Sequence, residues 1–548
     1  MRETPVNQTS VTGTRNLVTR SEVVLAAVCL LALALKGALL LGDAIPFNAD
    51  EAVVGLMARH ILAGDRPVFF YGQAYLGSLD VWLSAAVMTV VGQKVLAIRL
   101  VQLFLYAGTV ATTYFLGRRI FVSRWISTAA TLLLAIPPIL VTTYTTASLG
   151  GYGEVLFFGN LLLILSLRIG MGPQNSSTFR LWLIFGFVAG LGFWGFGLLA
   201  VYIAPCILWL LWKGIKASES ALSKVSRWVI FVASFLLGSA PWWLALLRES
   251  TATISELAGI HIATAQSGIG IRLIDLFIYY PAALIGLRPP WDVRLLALPL
   301  APLALSVFFA TLGFLVVRLR SKEANQVRSG RLLLLGVSTT TLAGLLATPF
   351  GADPSGRYIL PLAVPLALFT AELLHRIRTE RPRFALGILG GLLAFNLWGT
   401  LQTATTNPPG ITTQLAAIAQ IDKSYDEELI EFLLREGETR GYANYWITFP
   451  LAFLSDEELI YSAQLPYHAD FRYTPRDDRY APYTEAVASA AKVAYITSNH
   501  PALDAHIRVD MTRMQIGFEE KQIGDYHIFY ALSRPVRPHE LGLGTAPA

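Results

Sequence analysis

The chain has 548 residues, 54% of them hydrophobic and 15% charged, with a mean hydropathy of +0.53. That is too apolar for a soluble protein, which must cover its core with polar surface. The net charge of +6 comes largely from Lys and Arg in connections between apolar runs, so no nucleic-acid partner is expected. Cys29 and Cys206 each sit inside an apolar run, which excludes a zinc cluster of ordinary spacing and argues against a disulfide.

In chain order, a polar tail over residues 1–22 carries Arg2, Arg15 and Arg20 and is expected to be disordered. Val23 to Leu41 is long enough to cross a bilayer and is read as an uncleaved anchor. Lys36 inside it is expected to snorkel toward one surface. Further apolar runs lie near Leu96–Leu116, Ile126–Tyr144, Val155–Leu167, Leu181–Phe193, Leu198–Trp212, Trp228–Leu247, Leu298–Val317, Leu332–Thr348, Ile359–Leu374 and Leu386–Leu401. With the anchor they predict about eleven spans.

Charge sets the expected orientation. With the N-terminus cytoplasmic, the inner connections hold Arg118, Arg119 and Arg124; Arg168 and Arg180; Lys213, Lys216, Lys224 and Arg227. They also hold Arg318, Arg320, Lys322, Arg328 and Arg331, then Arg376, Arg378, Arg381 and Arg383. The outer connections at 146–153 and 195–197 hold none, which is a positive-inside pattern. Tyr75 to Val91 is apolar too, but making it a span would invert every later loop, so it is expected to lie in the interface as a juxtamembrane helix. The expected location is the plasma membrane, bacterial inner membrane in type, with membrane lipids around the spans.

Three regions fall outside the membrane on this reading: the loop 43–95, the loop 248–296, and residues 403–548, read as a small extracytoplasmic α/β domain. In that domain the pattern predicts helices at Asp426–Arg435 and Thr484–Ala491. Strands are predicted at Leu459–Ala463, Val493–Thr497, Met514–Lys521 and Tyr526–Leu532. Tyr442, Tyr445 and Trp446 read as core of this domain, with stacking on sugar rings as the functional alternative.

The chemistry-bearing residues sit at outer ends of spans. Asp50-Glu51 opens a helix whose Val53, Val54, Met57, Ala58 and Ile61 form an apolar stripe, so the carboxylates are expected at the lipid–water boundary. Asn48 and Glu51 have capping-box spacing, which accounts for Glu51 as well as a catalytic role does and leaves Asp50 unexplained. Glu154 follows Gly150-Gly151-Tyr152-Gly153 at the entrance of a span. Arg357 in Asp353-Pro354-Ser355-Gly356-Arg357-Tyr358 places a guanidinium on the side most cations avoid, where it suits a phosphate at headgroup depth. Acids and an arginine converging on one face suit sugar transfer from a lipid-anchored phosphate to a hydroxyl, with a carboxylate as general base. A transporter or flippase for lipid-linked glycans is the alternative, but it would place ionisable groups near the midplane in repeated helices, and no internal repeat is present.

At these residues the chain resembles the GT-C superfamily of membrane glycosyltransferases, within the glycosyltransferase family 39 branch of protein O-mannosyltransferases and aminoarabinose transferases. The matching pieces are Asp50-Glu51, Gly151-Tyr152-Gly153-Glu154 and Arg357-Tyr358-Ile359-Leu360-Pro361. The resemblance implies a polytopic helical fold, a polyprenyl-phosphate sugar donor, inverting transfer to an extracytoplasmic lipid, glycan or protein acceptor, and Asp50 as catalytic acid, with Glu51 and Glu154 beside it. Beside it, Arg357 and Tyr358 are read as donor-phosphate residues and Tyr71, Gln73, Tyr75, Tyr152 and His261 as candidate substrate contacts, a lone histidine such as His261 being more often a polar surface residue. Where aminoarabinose transferases carry Lys-Pro-Pro, this chain has Tyr71-Gly72-Gln73-Ala74-Tyr75, and Gln73 can hydrogen-bond a phosphate but not neutralise it. The 248–296 loop is too short for the β-trefoil inserted in eukaryotic mannosyltransferases. No His and carboxylate cluster has ligand spacing, so no obligatory metal or other cofactor is expected.

Overall fold

The computed structural model describes residues 12–172, 176–218, 220–248, 268–321, 323–406 and 409–544. The start of the polar tail and His261 lie outside the described residues. The membrane half begins with α1 (Thr12–Leu41), α2 (Ala49–Ala63), the hairpin β1 (Phe69–Phe70) and β2 (Gln73–Gly77), and α3 (Leu79–Val91). It continues with α4 (Val95–Phe121), α5 (Arg124–Ala135), α6 (Ile139–Tyr144), α7 (Tyr152–Met171), α8 (Ser176–Gly195), α9 (Ala200–Lys216), α10 (Ala221–Gly238) and α11 (Ala240–Arg248). After short α12 (Ile269–Ile274) and α13 (Tyr280–Leu284) come α14 (Ala301–Leu319), α15 (Asn325–Ala347), α16 (Ala363–Glu380) and α17 (Pro382–Ala404).

Ten helices among the described residues are long and apolar enough to cross a membrane. The eleventh expected span is broken: α5 stops at Ala135 and α6 starts at Ile139. Pro137-Pro138 causes the break, because proline lacks the donor that continues a helix and pushes the preceding residue out of the helical region. The juxtamembrane expectation needs a shift of boundary. Tyr75 belongs to β2, and the helix begins at Leu79 behind Ser78, whose hydroxyl donates to the Pro67 carbonyl at 2.6 Å.

The expected outer connections gather around one cavity, while the basic ones meet at the opposite end. There Gln326 donates to the Arg119 carbonyl and Arg331 bridges Glu323 and Glu372. Lys36 does not snorkel. It is fully buried, donates to the Thr145 and Thr146 hydroxyls at 2.8 and 2.6 Å, and lies over the Tyr106 ring. Those hydroxyls hold the ammonium at the point where α6 ends, so the stem has no cause to turn outward.

The C-terminal domain comprises α18 (Asp426–Glu436), β3 (Arg440–Ala443), α19 (Tyr445–Leu454), β4 (Ile460–Ser462), α20 (Ala481–Ala488), β5 (Ala494–Ser498), α21 (Pro501–Arg513), β6 (Glu519–Ile523) and β7 (Tyr526–Tyr530). The strands form one sheet in the order β4-β3-β5-β7-β6, parallel across β4, β3 and β5 and antiparallel across β5, β7 and β6. Alternation along the strands sends Ala443, Ile496 and Ile528 to one face with Leu429, Leu433 and Leu451, and Tyr442, Tyr495 and Phe529 to the other with Leu503, Ile507 and Met511. All the predicted elements are present within a few residues; β3, α19 and α21 are additional.

α19 couples the two halves. Its Ile447 and Leu451 pack on the sheet, while Tyr445, Phe449 and Phe453 join the core of the membrane half. The apolar stripe of α2 therefore faces protein and not lipid: Val53, Val54, Met57 and Ala58 are wholly buried, with α19 packed on the helix. Gly55 permits this approach, since a Cβ there would come within 2.5 Å of the Phe453 ring and 2.9 Å of Ile98. At the rim Arg59 pairs with Asp456 at 2.9 Å, and His60 sits between the Tyr71 hydroxyl and Glu457, each at 3.0 Å.

Candidate active site

Between the two halves lies a polar cavity of about 540 Å³. The membrane half contributes Asp50 from the start of α2, Gln73 and Tyr75 from β2, Tyr144, Tyr152, and the 349–358 loop with Arg357 and Tyr358. The C-terminal half contributes Tyr445, Trp446, Tyr467, His468, Asp477 and Arg479.

Asp50 is held from both sides. The Asn48 side chain accepts from the Asp50 and Glu51 backbone N–H groups at 2.9 and 3.2 Å, which fixes the first turn of α2. The Tyr445 hydroxyl donates to Asp50 Oδ1 at 2.6 Å. Burial, then the Asp50 charge, push the Tyr445 hydroxyl well above its ordinary pKa, so it stays a donor.

Arg357 sits where the chain enters the next span. Its Nε lies 2.7 Å from Asp353 Oδ2, and the guanidinium covers the Tyr358 ring. Asp353 in turn accepts from the Ser355 backbone N–H and hydroxyl at 2.9 and 2.6 Å. The loop is pinned from outside: Tyr280 donates to the Gly351 carbonyl at 2.6 Å and buried Arg288 to the Pro354 carbonyl at 2.5 Å. Aromatic rings wall this end, with Tyr152 at 5.2 Å from Tyr144, 5.4 Å from Phe196 and 6.2 Å from Tyr358. The turn into α7 depends on Gly150 and Gly151, both left-handed at φ +100° and +83°, where a side chain on Gly151 would press on Phe196. A second, apolar cavity of about 230 Å³ opens beside the first and shares Tyr75, Phe196, Phe350 and Tyr358 with it. Its other walls are Leu198, Val201 and Leu345 of neighbouring spans.

The residues proposed from sequence separate into two groups. Asp50, Gln73, Tyr75, Tyr152, Arg357 and Tyr358 line the cavity. Glu51 and Glu154 do not. Glu51 is wholly buried and makes a two-pronged ion pair with Arg99, Nε to Oε1 at 3.2 Å and Nη2 to Oε2 at 3.1 Å, rather than closing a capping box. The helical rotation sets this: the residue after Asp50 points about 100° away from it, toward Arg99 of α4. Glu154 lies behind the glycine turn against the buried Asp80 carboxyl, which also accepts from Gln102 at 3.0 Å and from Ser148. Tyr71 likewise leaves the cavity, because its hydroxyl is taken by His60 and its ring stacks on Tyr480 at 4.7 Å.

Burial pushes Asp80 up to about 6. Folding therefore favours its protonated form: the contribution is complete below the ordinary carboxyl range and is lost as pH rises through about 6. Between pH 4 and 7 the melting temperature of the wild type is expected to fall relative to Asp80→Asn. Parallel melting curves for the two proteins would refute this.

Sequence reasoning missed the roof: Tyr467, His468, Asp477 and Arg479 were unassigned, and Tyr445 and Trp446 were read first as core. Tyr445 is core and site at once. The available signal was the dense charge run Arg476-Asp477-Asp478-Arg479 between Tyr473 and Tyr480, which by composition reads as a solvated loop. Asp477 is instead buried, hydrogen-bonded to Tyr467, and pushed by burial up to about 6 despite Arg479 beside it.

The comparisons follow the same outline. The family model for dolichyl-phosphate-mannose-protein mannosyltransferase matches residues 79–244. No curated protein sequence gives a match. The crystal structure of ArnT from Cupriavidus metallidurans bound to undecaprenyl phosphate aligns over 95% of this chain and 98% of its own, at 14% identity and a TM-score of 0.59. The chain has the GT-C fold. The apo form of ArnT gives the same GT-C match at 13% identity, covering 94% of this chain and 98% of that one, with a TM-score of 0.58. The archaeal oligosaccharyltransferase AglB from Archaeoglobus fulgidus, in complex with an inhibitory peptide and a dolichol-phosphate, is similar over 87% of this chain and 69% of its own at 12% identity, with a TM-score of 0.47. The GT-C outline thus takes in the spans, the juxtamembrane segment and the C-terminal sheet domain of this chain.

Proposed function

We propose that the chain transfers a sugar from a polyprenyl-phosphate donor to an acceptor hydroxyl on the extracytoplasmic side, with inversion at the anomeric carbon. The observation that carries this reading is the shared aromatic wall: a polar cavity holding Asp50 and Arg357 shares Tyr75, Phe196, Phe350 and Tyr358 with an apolar cavity among the spans. A prenyl chain fits the apolar side and its phosphate the Arg357 side. The likeness to ArnT, solved with undecaprenyl phosphate, supports it.

The geometry suggests the sequence of events. Tyr445 occupies Asp50 Oδ1, leaving Oδ2 to take the acceptor proton. The acceptor oxygen then attacks the anomeric carbon from the face opposite the phosphate. The bond from that carbon to the phosphate oxygen breaks, and the charge left on the polyprenyl phosphate faces Arg357. The chain's own side chains account for each step, and no metal is invoked. The positive-inside pattern supports a cytoplasmic N-terminus, a C-terminal domain outside the cell, and residence in the plasma membrane.

The test is transfer of labelled sugar from polyprenyl-phosphate donors to membrane acceptors by the purified protein. Incorporation by wild type and its loss in Asp50→Asn is the expected result. Passage of intact lipid-linked sugar across vesicles without transfer would instead favour a flippase.

A further inference from the structure

The two guanidinium groups lining the cavity are unequally neutralised. Arg357 has Asp353 at 2.7 Å. Arg479, from the C-terminal domain, has no carboxylate at ion-pair distance among the described residues. Its ring neighbour is Tyr445, with the guanidinium carbon 5.2 Å from the centroid. With the Gln73 amide turned so that its oxygen faces Arg479, that oxygen accepts from Nη1 and Nη2 at 2.5 and 2.8 Å. Nε has no partner. Asp50 and Asp477 are near enough to favour its charged form, but neither forms an ion pair with it. A guanidinium whose fork is held by a neutral amide, and whose acidic neighbours stop short of direct contact, can still take an anion as a direct partner. It lines the same cavity as Arg357, and a planar guanidinium suits a phosphate better than any other side chain there.

We infer that Arg479 is a second ligand of the donor phosphate, delivered to the membrane-side cavity by the C-terminal domain. This rests on the reading of a lipid-phosphate donor. Arg357 arrives already in a direct ion pair, so Arg479 supplies the guanidinium with no carboxylate in contact, and Gln73 holds its fork in place from the membrane half. α19 brings Tyr445 to the cavity and the turn after Pro475–Asp477, packed on Gly72, brings Arg479, so the domain completes the donor site instead of merely covering it.

The probe is undecaprenyl phosphate, titrated into the full chain in detergent, with undecaprenol as the uncharged control. Arg479→Gln is expected to weaken phosphate-lipid binding about tenfold or more and to leave undecaprenol binding unchanged. Arg479→Lys should retain part of the affinity. Because residue 73 touches Arg479, a cation placed there should substitute for it, so the double variant Gln73→Lys with Arg479→Gln should recover most of the loss. A merely structural role predicts no such rescue. Phosphate-lipid binding by Arg479→Gln within about twofold of wild type, or no recovery in a double variant that melts like wild type, would overturn the inference. The donor reading fails separately: then wild type does not bind the phosphate lipid, or Arg357→Gln binds it as well as wild type does. Weakening by Arg357→Gln with no change in Arg479→Gln sinks the Arg479 role alone.

Discussion

Asp50→Asn should reduce sugar transfer by about 10²–10⁴-fold, the usual contribution of a positioned general base, while leaving polyprenyl-phosphate binding intact. Asparagine keeps the size of the side chain and can still accept the Tyr445 hydrogen bond, but it has no lone pair basic enough to take the acceptor proton. The loss should therefore appear in kcat and not in the affinity for the lipid. Tyr445→Phe should give a smaller loss, because it removes one hydrogen bond to the base and leaves the carboxylate in place. Single-turnover transfer with a labelled donor, set beside direct lipid titration, separates the two effects. Undiminished transfer in Asp50→Asn would remove it as the base.

Glu51→Ala is expected to fail for another reason. Its carboxylate is fully buried on Arg99, and Arg99 also donates to the Ile45 carbonyl at 2.9 Å, so one pair ties α2 and the preceding turn to α4. Removing one member strands a buried charge, with an expected cost of about 3–5 kcal/mol. Replacing both members with apolar residues, Glu51→Leu with Arg99→Met, should restore much of that stability, because buried pairs often exchange for hydrophobic packing at little net cost. Thermal unfolding of the detergent-solubilised proteins reads the difference. Neighbouring acids thus separate cleanly: Asp50 variants should fold and lack transfer, and the Glu51-Arg99 double variant should fold and retain it. A double variant as unstable as Glu51→Ala would show that the ion pair itself is needed.

How much of the site was legible follows from where each signal lies. Asp50, Arg357, Tyr152 and Gln73 stand in connections that the charge pattern assigns to one common side, and they meet at one cavity. Glu51 and Glu154 carry the same local signal, acids at a helix start, yet both turn inward. A rotation of about 100° per residue decides whether a carboxylate meets the cavity or a neighbouring helix, and the partners that receive them, Arg99 and Asp80, are distant enough in sequence to leave no mark beside them. Tyr71 shows the same limit: two residues from Gln73, it is drawn off by His60 and Tyr480.

The sequence by itself determined the membrane class, nearly every span, and Asp50, Gln73, Tyr152 and Arg357 as residues at span ends, which the structure brings to one cavity. These depend on composition, on runs long enough for a bilayer and on the distribution of charge, all of which act locally along the chain. Only the tertiary structure decided that α3 starts at Leu79, that α2 is buried beneath α19, and that Tyr445, Asp477 and Arg479 complete the site from a domain almost four hundred residues away. Those outcomes depend on long-range packing, a glycine at position 55 that admits Phe453, and an arginine fork that finds Gln73. No periodicity within the C-terminal loop records that contact.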